Sequence, residues 1–224
     1  MLFVTVAKQA RCLRFQDSMA KPAEEGRIWE WRAFGRINDE LAAKVRAFPI
    51  RLGIDDLRGE DLYLVSPDSD QNVKLRRYAK GWVLKFKLLL ETEHGGFELY
   101  KESAELTYRL PVTLDKVKAA AQLLGIKLPE HVLMSETFGE QDFVNVLVGS
   151  SPPARETRVS KRRSQYKFEN GWIELADVEF DSHEVQSISV HSPGIESVKT
   201  MLTSLQPLDQ LEAMNYIQAC RRWG

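Results

Sequence analysis

The residues of this chain best suited to chemistry come in pairs, two positions apart. Lys74 and Arg76 are one pair, Lys85 and Lys87 a second, Lys161 and Arg163 a third. Each lies in a stretch that reads as a strand, where successive side chains point to opposite faces. Each pair therefore sets two cations on one face. Glu30 and Arg32 share a face in the same way, and Asp177 and Glu179 form an acidic pair. Like charges gathered on one surface repel unless an anion sits among them. Phosphate is such an anion: arginine grips it with two parallel donors, and lysine meets it as a compact charge. Carboxylates on a facing wall would hold Mg²⁺ or Mn²⁺, which take hard oxygen ligands. A metal-oriented water could then attack a terminal phosphorus, with the cations stabilising the charge on the transferred group.

The polar face of a strand is ordinarily a wet face, and any single pair reads that way. The residues between the charges weigh against it for the set as a whole. Val73, Leu75 and Phe86 alternate with the cations and need a core of their own. If they face helices outside a barrel, the charges face inward.

The elements that must position these residues follow from periodicity and turn signals. Residues 27–35 ("RIWEWRAFG") alternate and read as a strand, and 38–48 as a helix capped by Asn38. Strands are predicted at 60–66, 72–79 and 82–91, the last two joined at Lys80-Gly81, and a long strand at 97–112. A helix covers 113–125 with Gly125 at its end, and "FVNVLVGS" reads as a short strand. Strands follow at 157–169, 171–180 and 184–192, then helices at 192–205 and 207–223. About eight strands in hairpins, with helices between and after them, predict an α+β domain built on a closed antiparallel barrel. Residues 1–24 read as an N-terminal tail, 25–206 as the barrel domain and 207–224 as a C-terminal helix packed on it.

Composition sets limits. The chain has 224 residues and a net charge of −1, so it lacks the basic excess that broad nucleic-acid binding uses. No apolar run has the roughly 20 residues of a membrane helix. Cys12 and Cys220 form no metal spacing or disulfide framework, which fits a reducing, cytoplasmic setting. The four histidines are scattered, and the five tryptophans read as packing groups.

The ordered set "EWRAF", "EDLYL", "NVKLRR", "VLKFK", "SKRRSQY" and "LADVEF", over about residues 26–205, resembles the CYTH superfamily, the triphosphate tunnel metalloenzymes. The resemblance implies an eight-stranded antiparallel tunnel with helices outside, and divalent-metal-dependent hydrolysis of a triphosphate-containing small molecule. It implies phosphate binding by Arg32, Lys74, Arg76, Lys85, Lys87, Lys161 and Arg163, with Arg76 and Lys85 in the catalytic role. It implies Mg²⁺ or Mn²⁺ held by Glu30, Asp177 and Glu179, with Glu98 and Glu102 as acids of the middle strand. Asp61 is expected to orient a basic residue and Tyr63 to pack. The opening signature of that family, E-x-E-x-K, runs here from Ile28 to Arg32, with Ile28 in place of the first acid. That departure favours, as an alternative, a noncatalytic module for polyphosphate or nucleotide. Adenylate cyclase of the class IV type is a further alternative.

Overall fold

The computed structural model describes residues 26–53 and 58–224. The N-terminal tail read from the sequence lies outside the described residues. In chain order the elements are β1 (Arg27–Gly35), α1 (Asp39–Arg46), β2 (Ile50–Leu52), β3 (Arg58–Ser66), β4 (Ser69–Tyr78), β5 (Gly81–Glu93) and β6 (Phe97–Lys101). Then come β7 (Thr107–Arg109), β8 (Val112–Thr113), α2 (Leu114–Leu124), β9 (Thr137–Phe138) and α3 (Glu140–Val148). The last third holds β10 (Arg155–Phe168), β11 (Gly171–Phe180), β12 (His183–Ser192), α4 (Ile195–Leu205), β13 (Leu211–Ala213) and α5 (Tyr216–Trp223).

Eight of the strands pair in the order β11, β12, β1, β6, β5, β4, β3, β10, and β10 pairs back onto β11. Every one of these pairings is antiparallel, so the sheet closes into a barrel. Closure gives every strand of the barrel a neighbour on each side and creates an inside. Local turns make the hairpins possible. Gly81, at φ +111°, takes a conformation that a side chain would resist as β4 turns into β5.

The outer faces are apolar where helices cover them. Leu62, Leu64, Val73, Leu75, Leu84 and Phe86 form one core with Val117, Ala121 and Leu124 of α2 and with Phe143 and Leu147 of α3. Ile173, Ile188 and Val190 form a second with Leu41 and Val45 of α1 and with Val198 and Leu202 of α4. Helix α1 is capped as the sequence predicts, with Asn38 Oδ1 accepting from the Leu41 amide at 2.8 Å. All five helices lie outside the strand wall, and α5 covers one end of the barrel. There its residues Tyr216, Ile217, Ala219 and Cys220 pack against Phe34, Tyr63, Val65, Val159, Ala176, Val178 and Phe180. Burying Ile217, 1% exposed, is worth about 2 kcal/mol. None of the described helices is long and apolar enough to cross a membrane.

Three segments differ from the sequence reading. "FVNVLVGS" is mostly helix α3, because Phe143, Val144 and Leu147 are buried at helical spacing. Its valines suggested a strand, a preference that tertiary packing readily overrides. The strand expected over 97–112 breaks after Lys101, where a 3₁₀ turn at Ala104–Leu106 redirects the chain before β7. The helix expected over 207–223 begins only at Tyr216, under a capping box made by Asn215 and Gln218. The residues before it supply β13, which pairs with Ala33–Gly35 of β1.

Candidate functional site

The alternation brings the paired cations to one chamber inside the barrel. Arg32 comes from β1, Lys74 and Arg76 from β4, Lys85 and Lys87 from β5, Lys161 and Arg163 from β10. The chamber has a volume of about 120 Å³. Glu30, Glu102 and Glu174 line it as well, and Asp61 stands behind the lysines. Seven basic side chains thus meet four carboxylates, a formal surplus of three positive charges.

One cluster gathers on Asp61, 1% exposed. Arg76 donates to it through Nε at 2.7 Å and a terminal nitrogen at 2.8 Å, the bidentate geometry that suits guanidinium and carboxylate. Lys161 donates to Oδ2 at 2.9 Å, and Lys74 lies 3.5 Å from the same oxygen. The Tyr63 hydroxyl accepts from Lys161 at 2.7 Å and Lys74 at 3.2 Å. Burial alone would raise the Asp61 pKa, but Lys161, Lys74 and Arg76 hold it well below the ordinary range. The lysines share one carboxylate and are not fully compensated. Burial pushes Lys74 down to about 8, with Asp61 offsetting part of the shift, and lowers Lys161 as well.

A second cluster gathers on Glu30 and Glu174. Arg32 donates from Nε to Glu30 at 2.8 Å and from its two terminal nitrogens to Ser187 Oγ at 2.9 Å and Glu174 at 3.4 Å. Lys87 donates to the other Glu30 oxygen, and His191 Nδ1 lies 3.5 Å from that oxygen. Glu174 also accepts from Gln165 at 2.9 Å and from Arg163 at 3.4 Å. Burial would raise the Glu174 pKa, yet Arg163 and Arg32 outweigh it and hold the group at about 2. His191 shows the opposite balance: burial dominates the attraction of Glu30 and takes the imidazole down to about 4, so it is neutral near pH 7.

The chamber opens past Lys85, Glu102 and Trp172, which are partly exposed or exposed. Among the described residues the Lys85 ammonium makes no side-chain hydrogen bond or ion pair; Glu102 acts on it only through its field, and it is available to an arriving anion. At the other end the floor is α5. The Tyr216 ring lies under the cations, its centroid 3.6 Å from Lys161 Nζ and 4.4 Å from Arg32 Cζ.

The acids are arranged differently from the sequence reading. Asp177 and Glu179 stand exposed on the outer face of β11, with Asp177 paired to Arg162 at 3.1 Å. The inward positions of β11 are Trp172, Glu174, Ala176 and Val178, of opposite parity. Glu174 is therefore the acid that β11 brings to Glu30, and Asp177 and Glu179 are not brought there. Glu98 lies behind the lining, accepting from Tyr100 at 2.7 Å and Asn215 at 2.6 Å, and burial raises its pKa. Among the described residues, no three His, Cys, Asp or Glu side chains converge to hold a metal ion. Glu30 and Glu174 are each engaged by at least two protein cations or donors. As arranged, this donor set does not fit a Mg²⁺ or Mn²⁺ ion.

Several site residues escaped the sequence reading. Ser187, Ser189 and His191 form a polar stripe at period two on β12, and that alternation was a usable signal. Tyr216 had none, because it reaches the chamber from a helix.

No protein-family model matches the chain, and no curated protein does. Among solved structures the chain is similar to PH1819 of Pyrococcus horikoshii OT3, at 18% identity and a TM-score of 0.47, over 86% of this chain and 98% of that one. It is also similar to PH1012 of the same organism, at 17% identity and a TM-score of 0.43, over 84% and 98%. A third is HpAC1 from Hippeastrum, described as having a dominant triphosphatase activity, at 12% identity and a TM-score of 0.48, over 87% and 95%. Likeness at this level leaves the chemistry to the site itself. The closed eight-stranded antiparallel barrel is the fold that the chain's resemblance to the CYTH superfamily implies.

Proposed function

We propose that the chamber binds a triphosphate, or another short chain of phosphoryl groups carried by a small molecule, and neutralises it with protein cations. The observation that supports this reading most is the convergence of seven Lys and Arg side chains from four strands on one enclosed cavity. A surplus of positive charge in a partly desolvated site is costly until an anion enters, and it strengthens every contact once one does. Arg32 and Arg76 supply planar forks, and the lysines supply compact charge. At about 120 Å³ the cavity is well below the roughly 300–1,000 Å³ of a pocket for a drug-sized ligand, so it takes phosphoryl groups and a nucleoside would remain at the mouth. Among the described residues that line the chamber none forms a pocket for the base that an adenylate cyclase would hold.

Metal-dependent hydrolysis, which the resemblance implies, asks more. The carboxylates that would hold the ion are bonded to Arg32, Lys87, Arg163 and Gln165. Ile28 adds no ligand. This arrangement favours binding without turnover over hydrolysis. In either case Lys85 and Arg76, at the mouth side, would meet the outermost phosphoryl group.

Calorimetric titration with inorganic triphosphate, with and without Mn²⁺, joined to a phosphate-release assay, separates the readings. The binding reading expects saturable heat in the absence of metal and a roughly tenfold weaker affinity in Lys85→Ala. Phosphate release that depends on Mn²⁺ and disappears in Lys85→Ala would establish hydrolysis instead. Absence of binding at low ionic strength would remove both.

A further inference from the structure

Three residues that line the chamber carry a buried polar atom with no hydrogen-bond partner in the protein: Asn72 Oδ1, Trp172 Nε1 and the Tyr216 hydroxyl. Among the described residues only Ser103 and Thr157 share this condition, and they do not line it. Buried polar groups are paired as a rule, and each exception asks for a cause. Two of the three, the Trp172 N–H and the Tyr216 O–H, are donors, and an anion in the cavity supplies the acceptor they lack; Asn72 Oδ1 is an acceptor and looks to a water or a donor instead.

The chemistry of the surrounding cations sharpens the point. Arg32, Arg76, Lys87 and Lys161 each hold a carboxylate already, and their remaining N–H donors meet a phosphate with charge that the carboxylate partly offsets. The Tyr216 O–H and the Trp172 N–H have no such engagement. Both are also held in place before any ligand arrives. Tyr216, 7% exposed, is wedged between Tyr63, stacked at 5.7 Å, and the Arg32 and Lys161 cations. The Trp172 ring stacks on His191 at 4.6 Å and carries the Arg51 guanidinium 4.3 Å from its centroid. Burial keeps the Tyr216 phenol protonated by pushing its pKa up to about 12.

Their positions differ in depth. Tyr216 rises from α5 at the floor, whereas Trp172 stands partly exposed at the mouth. Asn72, 5% exposed, lies on the wall. Resting on the phosphate-binding reading of this chamber, we infer that Tyr216 and Trp172 are neutral hydrogen-bond donors that grip the two ends of the bound anion. The pair then measures length. An anion of three phosphoryl groups reaches both donors, and one of two groups seated on the floor reaches Tyr216 alone.

The test uses the full chain, with inorganic triphosphate and pyrophosphate as probes in calorimetry and the melting temperature of the unliganded protein alongside. Tyr216→Phe is expected to weaken both anions about tenfold while the unliganded melting temperature holds or rises, because the hydroxyl it removes has no protein partner. Trp172→Phe keeps a ring on His191 and is expected to weaken triphosphate about tenfold and leave pyrophosphate unchanged. A lowered melting temperature with unchanged affinity in Tyr216→Phe overturns the inference, since the hydroxyl is then structural. Equal affinities in wild type and both variants overturn it too, while the phosphate-binding reading survives. A wild type that binds neither anion ends both.

Discussion

Replacing Asp61 by asparagine keeps the shape of the side chain and removes the one negative charge that three cations share. The contacts at stake are two from Arg76 at 2.7 and 2.8 Å, one from Lys161 at 2.9 Å and one to Lys74 at 3.5 Å. Breaking a buried ion pair from one side costs about 3–5 kcal/mol, because the remaining charge is stranded. Lys74 and Lys161 can shed part of that cost by releasing protons, since burial already lowers both pKa values. The lower end, about 3 kcal/mol, is therefore expected. At roughly 2–4 °C per kcal/mol for a chain of this size, the melting temperature should fall by about 6–12 °C. Triphosphate should restore most of the loss, because it supplies the missing counter-charge to the same lysines. The ligand-induced rise in melting temperature should thus be larger in Asp61→Asn than in wild type. Differential scanning calorimetry at pH 7.5 and low ionic strength, with and without inorganic triphosphate, reads both quantities. A variant that melts within about 2 °C of wild type, or that gains less from triphosphate, would refute the idea that Asp61 stands in for the anion.

Other outcomes follow from the same geometry. Because the Lys74 pKa is near 8, its charge is lost as pH rises through that value, so triphosphate affinity should fall between about pH 7 and 9 in calorimetry. A double variant Asp177→Asn, Glu179→Gln alters only the outer face of β11 and should bind triphosphate with wild-type affinity; a tenfold change would place those acids in the site after all. His191 is held near 4 in the fold against roughly 6.5 in the unfolded chain, so the unfolded state binds the extra proton between those values. Stability should therefore drop as pH falls from about 6.5 to 4, by up to about 3 kcal/mol, and His191→Gln should flatten that limb of a urea-denaturation pH profile.

Much of the fold is legible because hairpins are local. Alternation in β1, β4, β5, β10, β11 and β12, with Lys80-Gly81 and Asn170-Gly171 between strands, predicts those elements within a few residues. Elements whose identity depends on distant partners were read less well. Valine-rich α3 is helical because its buried face meets the barrel's outer core, and β13 exists because β1 offers it an edge.

By itself the sequence determined which charges share a strand face, since side-chain parity is a local property of extended backbone. It could not determine which face is inside. On β11 both faces mix apolar and charged residues: the inner one runs from Glu174 at the chamber to Val178 and Phe180 against α5, and the outer one from Ile173 under α4 to exposed Asp177 and Glu179. The meaning of polarity therefore reverses along a single strand, according to what covers each end. Only closure of the barrel and the docking of α5 decided that Glu174 faces the cations, that Asp177 and Glu179 face water, and that a helical tyrosine forms the chamber floor.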